Sequence, residues 1–251
     1  MRRIPVLTIA GILTGLFAVG CGSDKLSASG DPLAPGASAA KIVPEFPANP
    51  SAAFKSEIEN PYLAFDRGKV FHYESETPEG LETNVVEVTN QKKTIIGVAT
   101  TVVHDQVFLD GELIEDTIDW YAEDNDGNVW YFGEDSKELD HGVVVSTEGS
   151  WEAGVNGATP GIVMLAQPVV GTKYQQEFSE GVAEDMAKVM SLSDTVEVPV
   201  GTFQDCLKTM EWTALEPGAR EFKFYASGVG FVLELTPKGG GIRTELTAVE
   251  E

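Results

Sequence analysis

After residue 60 the chain alternates hydrophobic and polar positions with a period of two, and helical periodicity is nearly absent. KVFHYESET and LETNVVEVT read as strands around the turn cluster Pro78-Glu79-Gly80. TIIGVATTVVHDQVFL is long and rich in β-branched residues, which fit a pleated surface. It is followed by Asp110-Gly111 and then ELIEDTIDWYAED, and Asp-Gly between two such runs is a strong hairpin signal. TKYQQEFSEG, VAEDMAKVMSLSDTVEVP, FQDCLKTMEWTALE, AREFKFYA, GVGFVLEL and GIRTELTAVE continue the pattern, punctuated by Pro217-Gly218 and PKGGG. The pattern predicts an all-β fold of about ten to twelve strands. Short turns between them imply a mainly antiparallel sheet, curled or closed part-way into a half-barrel. SAAFKSEIEN predicts one short helix before Pro61, and AEDMAKVMS carries a competing helical propensity.

The front of the chain breaks this pattern. Met1-Arg2-Arg3 is basic, and Ile4 to Val19 is apolar over the length of a signal-peptide core, short for a membrane span. It ends in Ala18-Val19-Gly20-Cys21, which resembles a bacterial lipobox; that resemblance implies cleavage after Gly20 and lipidation of Cys21. The alternative is a plain secretory signal with an incidental thiol. Residues 21–50 are rich in Ser, Ala, Gly and Pro with little to bury, the composition of a flexible tether. The expected organisation is a signal peptide over 1–20, a lipid anchor and tether over 21–50, and one β domain over 51–251. Gly22 stands beside the cysteine instead of an inner-membrane retention aspartate, so the anchor favours the outer membrane where the organism has one.

The formal net charge is −23, and losing residues 1–20 removes two arginines and no acid. Such a field excludes nucleic acid and anionic lipid as general partners and favours cations or basic partners. With Cys21 committed to lipid, Cys206 is alone and reads as a buried structural thiol.

The densest chemistry lies in DWYAEDNDGNVWYFGED, Asp119 to Asp135. A calcium loop starting at Asp124 would need Gly where Val129 stands and Glu where Asp135 stands. The hairpin reading turns at Asn125-Asp126-Gly127-Asn128, with positive φ at Asp126 and Gly127. It puts aromatics on both faces, so either face takes protein or ligand. Trp120, Trp130, Trp151, Tyr121 and Tyr131 are therefore the candidate ligand contacts.

That hairpin, with STEGSWEAGVNGATPGIVM, VPVGTFQDCLKTMEWTALEPG and FYASGVGFVLEL, resembles a family of uncharacterised bacterial and archaeal envelope proteins from about Tyr62 to Glu234. More distantly, the V-P-x-G-T-F and Y-A-x-G-V-G-x-V motifs resemble LolA/LppX-like half-barrel proteins, where Ser227 stands in place of a frequent Pro. That resemblance implies a curled sheet with a lipid-binding hollow.

His72, His104 and His141 are isolated, so no zinc spacing is present, and no nucleophile elbow or phosphate loop appears. No cofactor is expected, with calcium at the acidic turns as the one alternative. The loop Ser146 to Gly161 reads either as a connection with Trp151 tucked against the sheet or as a ligand-contact lid. The reading is a lipid-anchored extracytoplasmic binding or structural protein, not an enzyme, whose curled sheet holds an apolar ligand. The alternatives are a partner-binding scaffold without a cavity and a carboxylate-dependent hydrolase.

Overall fold

The computed structural model describes residues 41–237 and 241–251. The expected signal peptide, the expected lipidation site Cys21 and the expected tether up to residue 40 lie outside the described residues. Among the described residues sixteen strands form one curled sheet. They are β1 (Lys41–Ile42), β2 (Val70–Glu76), β3 (Leu81–Ile95), β4 (Val98–Leu109), β5 (Glu112–Glu123), β6 (Val129–Asp140), β7 (Val143–Ser146) and β8 (Trp151–Glu152). They continue with β9 (Thr159–Met164), β10 (Lys173–Gln175), β11 (Glu177–Phe178), β12 (Asp185–Val198), β13 (Gly201–Thr213), β14 (Glu221–Ala226), β15 (Gly230–Thr236) and β16 (Ile242–Glu250). One four-residue helix, α1 (Pro50–Ala53), precedes β2. Among the described residues no helix is long and apolar enough to cross a membrane.

The all-β, curled-sheet expectation holds, with more strands than predicted. The surplus is in short pieces that alternation cannot register: β1, β7, β8 and β11. The run 94–109, which reads as one strand, is split by a tight turn at Ile96-Gly97, with φ of 41° and 88°. Ile is an unusual residue at positive φ, which is why no turn signal marks the break. AEDMAKVMS, despite its helical propensity, enters β12, because ten register pairs with β13 outweigh local preference. Asp110-Gly111 does form the expected turn, with φ of 50° and 86°. Part of the segment assigned to the tether is ordered: β1 runs parallel to β10, and Phe46 packs on Phe54, Trp130 and Phe132.

The sheet order runs β1-β10-β12-β13-β14-β15-β16-β2-β3-β4-β5-β6-β9-β11. β10, one strand in from the β1 end, and β11, at the other end, are separated in the chain only by Gln176. The segment Lys173–Phe178 bonds to β12 with its first half and to β9 with its second. Curling follows from this tie, since one extended segment must touch both sides of the sheet. Gly161 on β9 permits the close approach, because a Cβ there would collide with the Gln176 backbone.

Candidate functional site

The inside of the curl is polar. On β5, Glu115, Thr117, Asp119 and Tyr121 share one buried face, and alternation sends Ile118 and Trp120 to the other. On β6 the register shifts between the pairs Asp119↔Glu134 and Tyr121↔Tyr131, leaving an extra residue at Phe132-Gly133. That bulge turns Tyr131 and Glu134, three positions apart, to the same inner face. Gly133 (φ 120°) is required there, since a Cβ would strike the Trp151 carbonyl of β8. The Tyr131 hydroxyl lies 2.6 Å from Asp119 Oδ1 and 3.2 Å from Glu134 Oε2.

Carboxyls continue around the interior. Asp105 on β4 accepts a hydrogen bond from the Asn84 amide of β3. Glu82, Ser75, Thr244 and Glu234 are consecutive cross-strand partners over β3, β2, β16 and β15, so they share a face. In that row the Ser75 and Thr244 hydroxyls have no hydrogen-bond partner. Next comes Lys223 on β14, which is 1% exposed and sits 3.1 Å from Glu211, 3.5 Å from Glu221 and 3.8 Å from Glu234. Burial works against the Lys223 charge, but these three carboxylates more than reverse it and hold the ammonium above its ordinary range.

The acids outnumber this cation, and most are pushed up. Burial, then the neighbouring carboxylates, raises Glu82, Glu115 and Asp119 to about 8 each. Burial and Glu234 raise Glu221 to about 8 despite Lys223.

Where the ends of the sheet meet, the interior opens into a cleft of about 430 Å³. Glu134, Glu177 and Asp185 line it from β6, β11 and β12. Thr147 to Ser150, Gly181 to Ala183, and Leu215 with Glu216 form the rim. Among the described residues five of those lining it are acidic, and none is Lys, Arg or His. Glu177 is fully buried and accepts the Trp151 indole N–H at 2.9 Å. Burial, followed by Asp185 and Glu134, holds its carboxyl well above the usual range.

No protein-family model matches the sequence, and neither does any curated protein. Two solved structures resemble the chain. One is a Bacteroides fragilis protein described as exported and YmcC-like in fold, 14% identical, with a TM-score of 0.45 over 79% of this chain and 100% of that one. The other is a Parabacteroides distasonis protein described as a lipoprotein, 10% identical, with a TM-score of 0.41 over 79% of this chain and 99% of that one.

All five aromatic candidates are buried, at 0–6% exposure. Tyr121 and Tyr131 stack inside at 4.8 Å, and Trp151 meets Tyr131 edge-on at 5.5 Å. Trp151 is thus the tucked anchor of the loop Ser146 to Gly161, and its N–H reaches the cleft wall. Trp130 and Phe132 face outward under Phe46 and Phe54. Trp120 also lies outside, 3.3 Å beneath the Lys93 ammonium, and shares a second, more open cavity with Trp151. Aromatics on both faces of the hairpin are thus covered by protein. The large concave hollow required by an apolar ligand is filled by Tyr73, Tyr121, Tyr131, Tyr174, Tyr225 and the carboxyls between them.

The acidic turn at the tip of the hairpin is used locally. Only Gly127 takes positive φ, not Asp126, so the turn is not the expected type I′. Asp124 organises it by accepting from the Asp126 and Asn128 backbone N–H groups, the Asn128 amide and the Trp130 indole. Asp124→Ala should cost about 2–4 kcal/mol, because it strands a buried indole N–H and unties the turn; a urea midpoint matching the wild type would refute that role. His104 bonds Asp116 outside while Asp105 points in, as strand neighbours must. Among the described residues no three His, Cys, Asp or Glu side chains are grouped to hold a metal.

Glu134, Glu177 and Asp185 are the cleft-lining acids that sequence reasoning misses. A signal that could have singled out Glu134 is the Gly133 bulge between it and Tyr131, which marks a place where β6 redirects a side chain.

Proposed function

We propose that the chain is an extracytoplasmic binding protein, held at a membrane by lipid on Cys21, and that its acid-lined cleft receives a small polar cation without chemistry on it. The observation that carries this reading is the lining, with five acids and no base among the described residues, and a volume within the range of small-molecule sites. The net charge of −23 steers cations towards such an opening. The cleft, unlike the aromatic-filled curl, leaves space for a guest.

Native mass spectrometry of gently purified chain, compared with a denatured control, tests the reading. A small basic molecule released on denaturation supports it. A lipid-sized apolar mass would overturn it and restore the carrier expectation. A partner-binding scaffold has one observation of its own, the exposed run Val143, Val144 and Val145 on the short strand β7. A pull-down lost on Val144→Lys, with no small molecule found, would favour that second reading.

A further inference from the structure

We propose that the outer face of β1, β10 and β12 lies on the headgroups of an anionic bilayer, with Lys41, Lys173 and Lys188 at lipid phosphates and Val43, Val169 and Val170 at the edge of the acyl layer. This inference rests on the membrane anchor of the reading above and is independent of the cleft.

Register builds the face. Lys41 pairs with Lys173, and Lys173 with Lys188, so three ammonium groups stand side by side across three strands. The row continues through Met210 on β13 to Phe222 on β14. The chain neighbours Tyr174, Ala187 and Glu211 pair across the same strands and are buried, so the lysine row points away from the interior. Lys208, two residues before Met210, adds a fourth ammonium on the same side, over the Phe222 and Phe224 rings at 4.8 and 4.9 Å. Met186 and Trp212, paired with each other, are half-buried there too.

Such a row costs stability in the free protein, because like charges directly opposite one another weaken a sheet. The chain has 40 acidic residues against 17 basic ones, so acidic partners are plentiful. Yet among the described residues none of the three lysines has an ion-pair partner. The outward positions of β10, of β12 up to Lys188 and of β13 from Lys208 to Trp212 hold no acid.

Two further observations name the occupant. Val43, which directly follows β1, and Val169 and Val170, in the turn that opens β10, are 56–63% exposed. Apolar side chains beside lysines suit the boundary between headgroups and acyl chains, where the lysine stem lies along apolar surface and its ammonium meets phosphate. The tether also joins the sheet here: Lys41 begins β1, and residues 22–40 connect it to Cys21. A Gly- and Ser-rich linker of that length averages about 25 Å end to end, so an anchor at Cys21 keeps this edge of the sheet beside lipid. The net charge of −23 acts against anionic lipid at long range. At contact, acids more than about 8 Å from the surface are screened, while each lysine at the surface strengthens attraction about fivefold.

The test is lysine acetylation of the full chain, extracted in nonionic detergent and reconstituted into vesicles of phosphatidylcholine, alone or mixed with phosphatidylglycerol. Lys41, Lys173 and Lys188 should react at least about threefold more slowly in the anionic vesicles, and high salt should remove the difference. Lys137, on β6, should react alike in both. The variant Lys173→Glu with Lys188→Glu should leave Lys41 equally reactive in both lipids, while Lys173→Arg with Lys188→Arg keeps its protection. Either pair of surface changes should shift the melting temperature by less than about 4 °C, which separates lost docking from lost fold. Equal reactivity in both lipids, in a chain that floats with its vesicles, overturns the docked face and leaves the anchor standing. A chain that floats with neither lipid overturns both. Protection retained by the Glu variant overturns the role of the lysines. Protection that grows with protein concentration in the absence of vesicles gives the face to a second copy and overturns the lipid contact.

Discussion

Raising the pH from 5 to 8 should lower the melting temperature by about 10 °C, a drop of a few kcal/mol at 2–4 °C each for a chain of this size. The carboxyls of Glu82, Glu115, Asp119 and Glu221 are each held near 8 in the folded protein by burial and like-charged neighbours. Unfolded, they return to ordinary carboxylate values of about 4. The folded state therefore binds more protons across this window, and stability falls as pH rises. Their contribution is complete below about pH 4 and is lost as pH climbs through 8. Each unit is worth about 1.4 kcal/mol, but the four groups share one interior and their shifts do not add. A total of about 5 kcal/mol is a realistic share. Calorimetric melts at fixed ionic strength check this. A melting temperature that is flat or rises with pH would show that these acids are hydrated in solution. Glu82→Gln should flatten part of the slope and raise the melting temperature at pH 8. The ordinary acid-denaturing protein behaves in the opposite sense, so the sign alone is diagnostic.

That inversion also explains why the fold was more legible than its interior. Turns fixed by backbone demand could be read directly: Asp110-Gly111 ends one hairpin, and the turn before Val129 falls where its residues place it. The long run through Ile96 could not be divided, because its turn uses a β-branched residue at positive φ. β1, β8 and β11 are two-residue strands, held by neighbours remote in sequence, and two residues show no period. The site was hidden for a different reason. Alternation assigns a polar face to solvent, yet on β5 the face bearing Glu115, Thr117 and Asp119 is the buried one. The aromatic stripe that looked like a ligand surface instead covers the sheet, with Trp130 and Phe132 outside and Tyr121 and Tyr131 within. Only the tie between β10 and β11 brings Glu177 to Asp185 and Glu134, and no local pattern encodes a contact between opposite ends of a sheet.

Lys223→Met should destabilise the protein by about 3–5 kcal/mol at pH 8, the cost of removing one member of a buried ionic group. Lys223 is 1% exposed and serves Glu211, Glu221 and Glu234 at once. Those acids are committed elsewhere too: Glu211 accepts from the Thr209 and Tyr225 hydroxyls, and Glu234 from Thr236. Glu211 and Glu234 are thus held in place, so loss of the ammonium leaves like charges fixed together. Their remaining escape is protonation, which links this prediction to the first. Lys223 itself stays charged throughout, since its ammonium is held above the ordinary lysine range and titrates only in strong alkali. At pH 5 Glu221 and Glu234, whose carboxyls burial pushes up, take up protons at little cost, and the defect should shrink to less than half. Urea denaturation at both pH values separates this from a packing defect, because the Met side chain fills similar volume and a cavity would cost the same at either pH. Adding Glu221→Gln to Lys223→Met should recover at least about 1 kcal/mol at pH 8 as a coupling between neighbours. A variant as stable as the wild type at pH 8 would mean the carboxyls there are already protonated. In that event the interior is a neutral hydrogen-bonded network with a single charge, and the attraction of cations would rest on the cleft acids alone.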